Sequence, residues 1–205
     1  MLAQALIKYK DQDAVIYAIP RGGVAIGAEV ANALHLPLDL VLVRKIGHPA
    51  NPEFAVCAIS ESGHLMCSEE GAQYANQYWL EKEIEDERRE IERRHQLYLD
   101  GRNPISAEEK IAVIVDDGIA TGMTISAAVH ELQNQGARKT VVAVPVAPFE
   151  VVEQLKTQAD EVITLDAPKN FTGAVGAYYD DFPQISDEDV ISFLQPISNQ
   201  VPNPQ

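Results

Sequence analysis

The sequence predicts an α/β protein with a mainly parallel, twisted sheet and helices on both faces. Three observations point to it. Apolar runs of about five residues recur along the chain, each suited to a strand buried on both sides. Stretches with helical apolar spacing alternate with them. Pro and Gly punctuate the alternation, as at Pro20 and Gly136.

The elements follow in order. "AVIYAI" (14–19) is a short strand ending at Pro20, and "RGGVAIGAEVANAL" (21–34) is a helix with Val24, Ala28, Ala31 and Leu34 on one side. "LDLVLV" (38–43) is a second strand, and "EFAVCAIS" followed by "ESG" and "HLMC" is a hairpin or loop excursion. "IAVIV" (111–115) is a third strand, followed by the helix "TISAAVHELQNQGA", which stops at Gly136. "KTVVAVPVA" (139–147), the helix "PFEVVEQLKTQA", the strand "EVITL" (161–165) and a short helix near 186–195 complete the pattern.

One segment stands apart. Residues 71–99 form a long charged helix, with Glu85–Arg89 and Glu90–Arg94 spaced for ion pairs. Tyr74, Tyr78, Ile84, Ile91 and Tyr98 make a thin apolar stripe on it. Two readings stay open: a solvated helix packed by one edge, or a stripe that serves a dimer contact or a mobile cover.

The 205 residues suit a single domain spanning 1–205, with the 71–99 helix as an insertion and 196–205 as a loose tail rich in Pro, Asn and Gln. A net charge of −15 argues against a nucleic-acid partner, since a phosphate-binding surface needs a basic face. It does not exclude a small phosphorylated ligand, which backbone N–H groups and Mg²⁺ can hold. The opening "MLAQALIKYKDQDA" has no long apolar run, and no segment approaches the ~20 apolar residues of a membrane span, so a cytoplasmic protein is expected. Cys57, Cys67 and His64 match no familiar metal-ligand spacing, and two ordinary reduced thiols are the expectation.

In open parallel sheets, ligands sit beyond the carboxyl ends of the strands. That rule points to the loops after residues 19, 43, 115 and 165. After 115 the chain reads "DDGIATGMT". Asp116 and Asp117 repel each other and resist burial, yet they follow a buried strand directly. The next helix starts near Thr121, and its free N–H groups and positive dipole end suit a phosphate. Gly122 permits close approach, and the Thr121 and Thr124 hydroxyls add donors. Two carboxylates beside that phosphate suit ribose hydroxyls, directly or through Mg²⁺ and water. These are the parts of a ribose 5-phosphate cradle. The plainer alternative is an Asx turn and N-cap, but a cap needs one aspartate, not two. Other phosphate motifs fail: the glycines at 22, 23 and 27 are wrongly spaced for the dinucleotide fingerprint, and no G-x-x-x-x-G-K-[ST] occurs.

"VIVDDGIATGMT" resembles the phosphoribosyl pyrophosphate motif of the type I phosphoribosyltransferases. "AIPRGG" is similar to that family's pyrophosphate loop, and "VRKIG" lies where relatives place basic residues. The pattern "PRGG…VRKIGHP.NPE.A…E" looks especially like the uncharacterised predicted phosphoribosyltransferases of bacteria. The resemblance spans most of 14–182 and implies the type I fold, with a hood at 166–182 over the acceptor base.

It also implies a Mg²⁺-dependent transfer of ribose 5-phosphate from phosphoribosyl pyrophosphate to a nitrogenous acceptor. The alternative is a regulatory module of the same fold that binds without turnover. Asp116 and Asp117 would take the ribose hydroxyls and the metal. The backbone of Ala120, Thr121, Gly122, Met123 and Thr124 would grip the 5-phosphate, and Gly118 would belong to the same substrate-binding loop. Arg21, Gly22 and Gly23 would bind pyrophosphate, with Arg44 and Lys45 adding charge. The plainer reading of Arg21 is a surface ion pair, and of Arg44 and Lys45 two charges flanking a strand end. No side chain stands out as catalytic, because positioning supplies much of the rate. Ala120 replaces the aspartate of hypoxanthine/guanine enzymes, so that acceptor class is not expected. Phe171, Tyr178, Tyr179 and Phe182 in the hood would select the acceptor, and the plainer reading of any single one is core or rim packing. Relatives carry an N-terminal segment ahead of the part resembling "LAQAL". A homodimer is expected, from the family and from the edge of the long helix.

Overall fold

The structure, a computed structural model, describes residues 1–49, 51–68, 76–99 and 101–198, with backbone alone at 51–54 and 196–198. Tyr74, the first residues of the expected 71–99 helix and most of the expected tail lie outside the described residues.

Five strands form the main sheet: β1 (Ala14–Ala18), β2 (Leu38–Leu40), β6 (Ile111–Val115), β7 (Lys139–Val146) and β8 (Glu161–Asp166). Their order is β2-β1-β6-β7-β8, and every neighbouring pair is parallel. Strand alternation divides the apolar residues between two cores. Ile16, Val113, Val115 and Val141 face α2 (Gly22–Leu34) and α6 (Asp187–Ser198), together with Leu2 of the short α1 (Leu2–Ala5). Val15, Tyr17, Ile114, Val142 and Val144 face α4 (Met123–Asn134) and α5 (Phe149–Leu155). Burial on both faces explains why these strands read as unbroken apolar runs.

A second, antiparallel sheet is built from β3 (Val43–His48), β4 (Asn51–Ser60) and β5 (Leu65–Cys67), in the order β3-β4-β5. It corrects the expected strand 38–43. β2 stops at Leu40, and the chain then changes sheets at Val41 and Leu42. Both are buried, one in each core, so no polar residue marks the crossing. "VRKIGH" is therefore a strand itself, not the end of one. The hairpin expected after it is present as β4 and β5.

The two cysteines are not reduced thiols. Cys57 and Cys67 are opposite each other in the β4–β5 ladder and form a disulfide. Antiparallel register places their β-carbons together, which sequence spacing does not reveal. The disulfide closes a loop whose ends are 10 residues apart, so reduction is expected to cost about 2–3 kcal/mol of stability. Urea unfolding with and without a phosphine reductant measures this. Coincident curves would mean that the β4–β5 hydrogen bonds hold the hairpin alone.

The long helix, α3 (Gln77–Leu99), buries Ile91, Tyr98 and Leu99 and half-buries Trp79, Leu80 and Ile84. Tyr78 of the expected stripe instead points outward, 81% exposed. Glu85–Arg89 and Glu90–Arg94 form as spaced. The helix is thus packed by one edge against the domain. No described helix is long and apolar enough to cross a membrane.

Candidate functional site

The site forms where β1 and β6 end side by side, with Ala18 opposite Val115. The Ile19 amide donates to the Val115 carbonyl at 3.0 Å, carrying the pairing one residue past the strand. Two turns then leave the sheet together. One is Pro20–Arg21, a cis peptide, which leads into α2 at Gly22. The other is Asp116–Asp117.

These turns touch so closely that glycine is required on one side. A β-carbon at Gly22 would lie 1.7 Å from Asp117 Oδ2. One at Gly23 would lie 2.7 Å from the Val115 carbonyl oxygen. The Gly23 amide donates to the Asp116 carboxylate, as does the Asp117 amide, at 2.8 Å to Oδ1. The acidic pair is therefore set directly against the start of α2.

Burial pushes the Asp116 carboxyl well above the usual carboxylate range, and the neighbouring Asp117 charge pushes it further. Burial also raises Asp117, against a backbone hydrogen bond from Gly118. Side by side, the two charges are costly unless a cation or a set of hydroxyls meets them.

Next comes the start of α4. Gly122 occupies the cap position at φ +79°, a left-handed conformation that suits glycine, and no side chain caps the helix. The first turn has no side-chain partner for its N–H groups, and the helix start lines a cavity of about 430 Å³. Its walls include Lys45, Asp116, Gly118, Ala120, Thr121 and Thr124. Gly122 lines it as well, as do Gly173 and Ala174 of the 166–182 segment. Met123 instead packs its side chain into the second core.

The basic residues divide. Lys45 lines the cavity beside Asp116. Arg44, its neighbour on β3, pairs with Glu87 of α3, with Nε 2.6 Å from the carboxylate. Arg21 follows the cis peptide, and its guanidinium reaches Asp187 at 3.6 Å. Each of these two arginines is thus engaged with an acidic side chain.

The aromatic rings of the segment expected to form a hood pack on one another. Phe171 stacks on Tyr178 with centroids 5.1 Å apart, and Tyr179 tilts against Phe182 at 5.0 Å.

Some supporting residues carried no signal in the sequence. Arg94 of α3 donates to the Pro20 carbonyl at 3.4 Å. Asp187, at the start of α6, gathers Arg21, Arg93 and the Tyr98 hydroxyl. That hydroxyl, then Arg93, holds the Asp187 carboxyl below its usual range. All these partners are distant in the chain, and none belongs to a motif.

The donor set fits a hydrated Mg²⁺. Among the described residues, no three His, Cys, Asp or Glu side chains converge to form a cage. A pair of carboxylate groups at the edge of a cavity that can admit substrate is what that ion ordinarily uses, with water and substrate oxygens completing its shell.

Comparisons with known proteins agree with the geometry. A family model described as the phosphoribosyl transferase domain matches residues 1–181. Two Mycobacterium tuberculosis proteins, from strains H37Rv and CDC 1551, are each 40% identical over 195 residues. Both are named, provisionally, as phosphoribosyl transferases. The match covers 94% of this chain and 44% of theirs, so the chain spans less than half the length of these relatives. The crystal structure of TT1426 from Thermus thermophilus superimposes with a TM-score of 0.79 at 44% identity, covering 95% of this chain and 93% of that one. A mainly parallel sheet, an acidic pair at its carboxyl edge and these matches lead to one assignment: the chain belongs to the phosphoribosyl transferase family, with the type I fold.

Proposed function

We propose that the chain transfers ribose 5-phosphate from phosphoribosyl pyrophosphate to a nitrogenous acceptor, releasing pyrophosphate. The observation that carries this is the close packing of Gly22 and Gly23 on Asp116 and Asp117, beside the uncapped start of α4. Three binding chemistries meet there within the span of one small phosphorylated sugar.

In this reading the amides of Ala120–Thr124 and the Thr121 and Thr124 hydroxyls hold the 5-phosphate. Asp116 and Asp117 accept hydrogen bonds from the ribose hydroxyls. Bound Mg²⁺ would supply positive charge beside the acidic pair and the leaving pyrophosphate. As the C1–O bond breaks, the sugar becomes oxocarbenium-like and the leaving group gains charge. Lys45, Arg21 and the Gly22 amide stabilise that charge, Arg21 after releasing Asp187, while the Gly23 amide holds the Asp116 carboxylate. The acceptor nitrogen attacks C1 from beneath the hood. Ala120 offers no carboxylate to a base proton, which argues against hypoxanthine or guanine.

A second reading is a module that binds the donor without turnover. The pairing of Arg21 with Asp187 and Arg44 with Glu87 favours it, because neither guanidinium faces the cavity.

Calorimetric titration with phosphoribosyl pyrophosphate and Mg²⁺ tests the site. The wild type is expected to bind at least a hundredfold more tightly than Asp116→Asn/Asp117→Asn. Equal binding would sink both readings. A panel of nucleobases then separates them: sustained pyrophosphate release with any acceptor supports the transferase, and silence across the panel supports the module.

A further inference from the structure

The aromatic residues of the hood were expected to select the acceptor, with core or rim packing the plainer reading for any single ring. One of them makes a different connection. The Tyr179 hydroxyl donates to the backbone carbonyl of Asp117 at 2.5 Å. One residue further along the loop, the hood presses in again. A β-carbon on Gly118 would lie 2.5 Å from Val175 Cγ1, so Val175 is seated directly on Gly118. Val175 opens a short 3₁₀ turn, Val175–Tyr178, which ends immediately before Tyr179.

We propose that Tyr179 is a positioning residue for the donor site, latching the hood to the acidic pair through the Asp117 carbonyl. The inference rests on the donor-site reading above and adds to it a residue that touches no substrate.

The physical argument is one of constraint. The Asp116–Asp117 turn is packed tightly against the start of α2, and Asp116 Oδ1 accepts the Asp117 amide at 2.8 Å. The Gly22–Gly23 turn restrains it from one side. From the other side, the Asp117–Gly118 peptide is gripped by the Tyr179 hydroxyl and the Val175 methyls. Fixing that peptide fixes the direction in which the Asp117 side chain leaves the backbone. The Tyr179 ring is supported by Phe182, so removing the hydroxyl leaves the packing in place.

Tyr179→Phe is the variant, and Tyr17→Phe is its control. Tyr17 makes the same kind of bond, hydroxyl to the Ile105 carbonyl at 2.7 Å, but it lies in β1 and does not line the candidate site. The first readout needs no ligand: amide hydrogen exchange at Gly118 and Ile119, the latter bonded to the Val146 carbonyl at 2.9 Å. Tyr179→Phe is expected to accelerate it about five- to tenfold, and Tyr17→Phe to leave it within twofold. The second readout is the dissociation constant for phosphoribosyl pyrophosphate with Mg²⁺, expected to rise about five- to tenfold in Tyr179→Phe alone. Unchanged exchange in Tyr179→Phe would overturn the inference, as would an equal change in Tyr17→Phe. If the wild type binds no donor, the donor reading fails, and the exchange result still decides whether Tyr179 holds the loop.

Discussion

Gly23→Ala is expected to weaken donor binding at least a hundredfold and to destabilise the fold by about 2–3 kcal/mol. The added β-carbon would lie 2.7 Å from the Val115 carbonyl oxygen and 2.9 Å from the Asp116 α-carbon. Both are backbone atoms at the end of β6, which is hydrogen-bonded to strands on either side. Neither can rotate away, so the turn itself must shift and carry the start of α2 off the acidic pair. Gly22→Ala is a useful contrast. Its β-carbon meets the Asp117 side chain, which can swing aside. That variant should keep more of its stability while still displacing a ribose ligand. Thermal melts and calorimetric titration on both variants separate the two costs. A Gly23→Ala protein that melts and binds like the wild type would show that the two turns are not in the contact described.

The double substitution Asp116→Asn/Asp117→Asn should do the opposite to stability. Near pH 7, without ligand, it is expected to stabilise the fold by about 1–2 kcal/mol while removing donor binding. The sign follows from the raised carboxyl groups. In the native state they hold their protons to higher pH than in the unfolded chain. Over that interval the folded protein binds more protons, and its stability falls as pH rises. Asparagine does not titrate, so the advantage of the variant should grow from about pH 4 to pH 7. Glu90 behaves in the reverse sense. Arg93 and then Arg94 hold it at about 2, so its contribution is present above the usual glutamate range and fades as pH falls towards 2. It is common to both proteins and cancels in the comparison. Urea unfolding at pH 5 and pH 7.5 measures the difference. A variant less stable than its parent at both pH values would mean that the carboxylates are net structural partners, not a strained binding pair. Saturating Mg²⁺ is expected to narrow the gap by stabilising the parent alone.

The sheet was legible because its strands are buried on both faces. Such strands are continuous apolar runs, and Pro20 and Gly136 mark two of the element boundaries. The same rule misled at 38–43. Val41 and Leu42 are apolar because each reaches a core while the chain passes between sheets, so the crossing looks like strand. The disulfide was hidden for a related reason. Whether two cysteines meet depends on the β4–β5 register, not on their spacing. Arg44 and Lys45 are adjacent in sequence and looked equivalent, but on β3 one turns to Glu87 while the other lines the cavity.

What the sequence determined by itself is the local chemistry at the strand ends. Glycines at 22 and 23, paired acids at 116 and 117 and a glycine-started helix at 122 lie in or beside the short connections just past two strands, so short-range backbone geometry sets their place. The tertiary structure decided what those groups face. It set the two turns against each other, tied Arg21 to Asp187 and joined Tyr179 to the Asp117 carbonyl. Such contacts form between segments far apart in the chain, and they depend on strand order and packing, which no local pattern encodes.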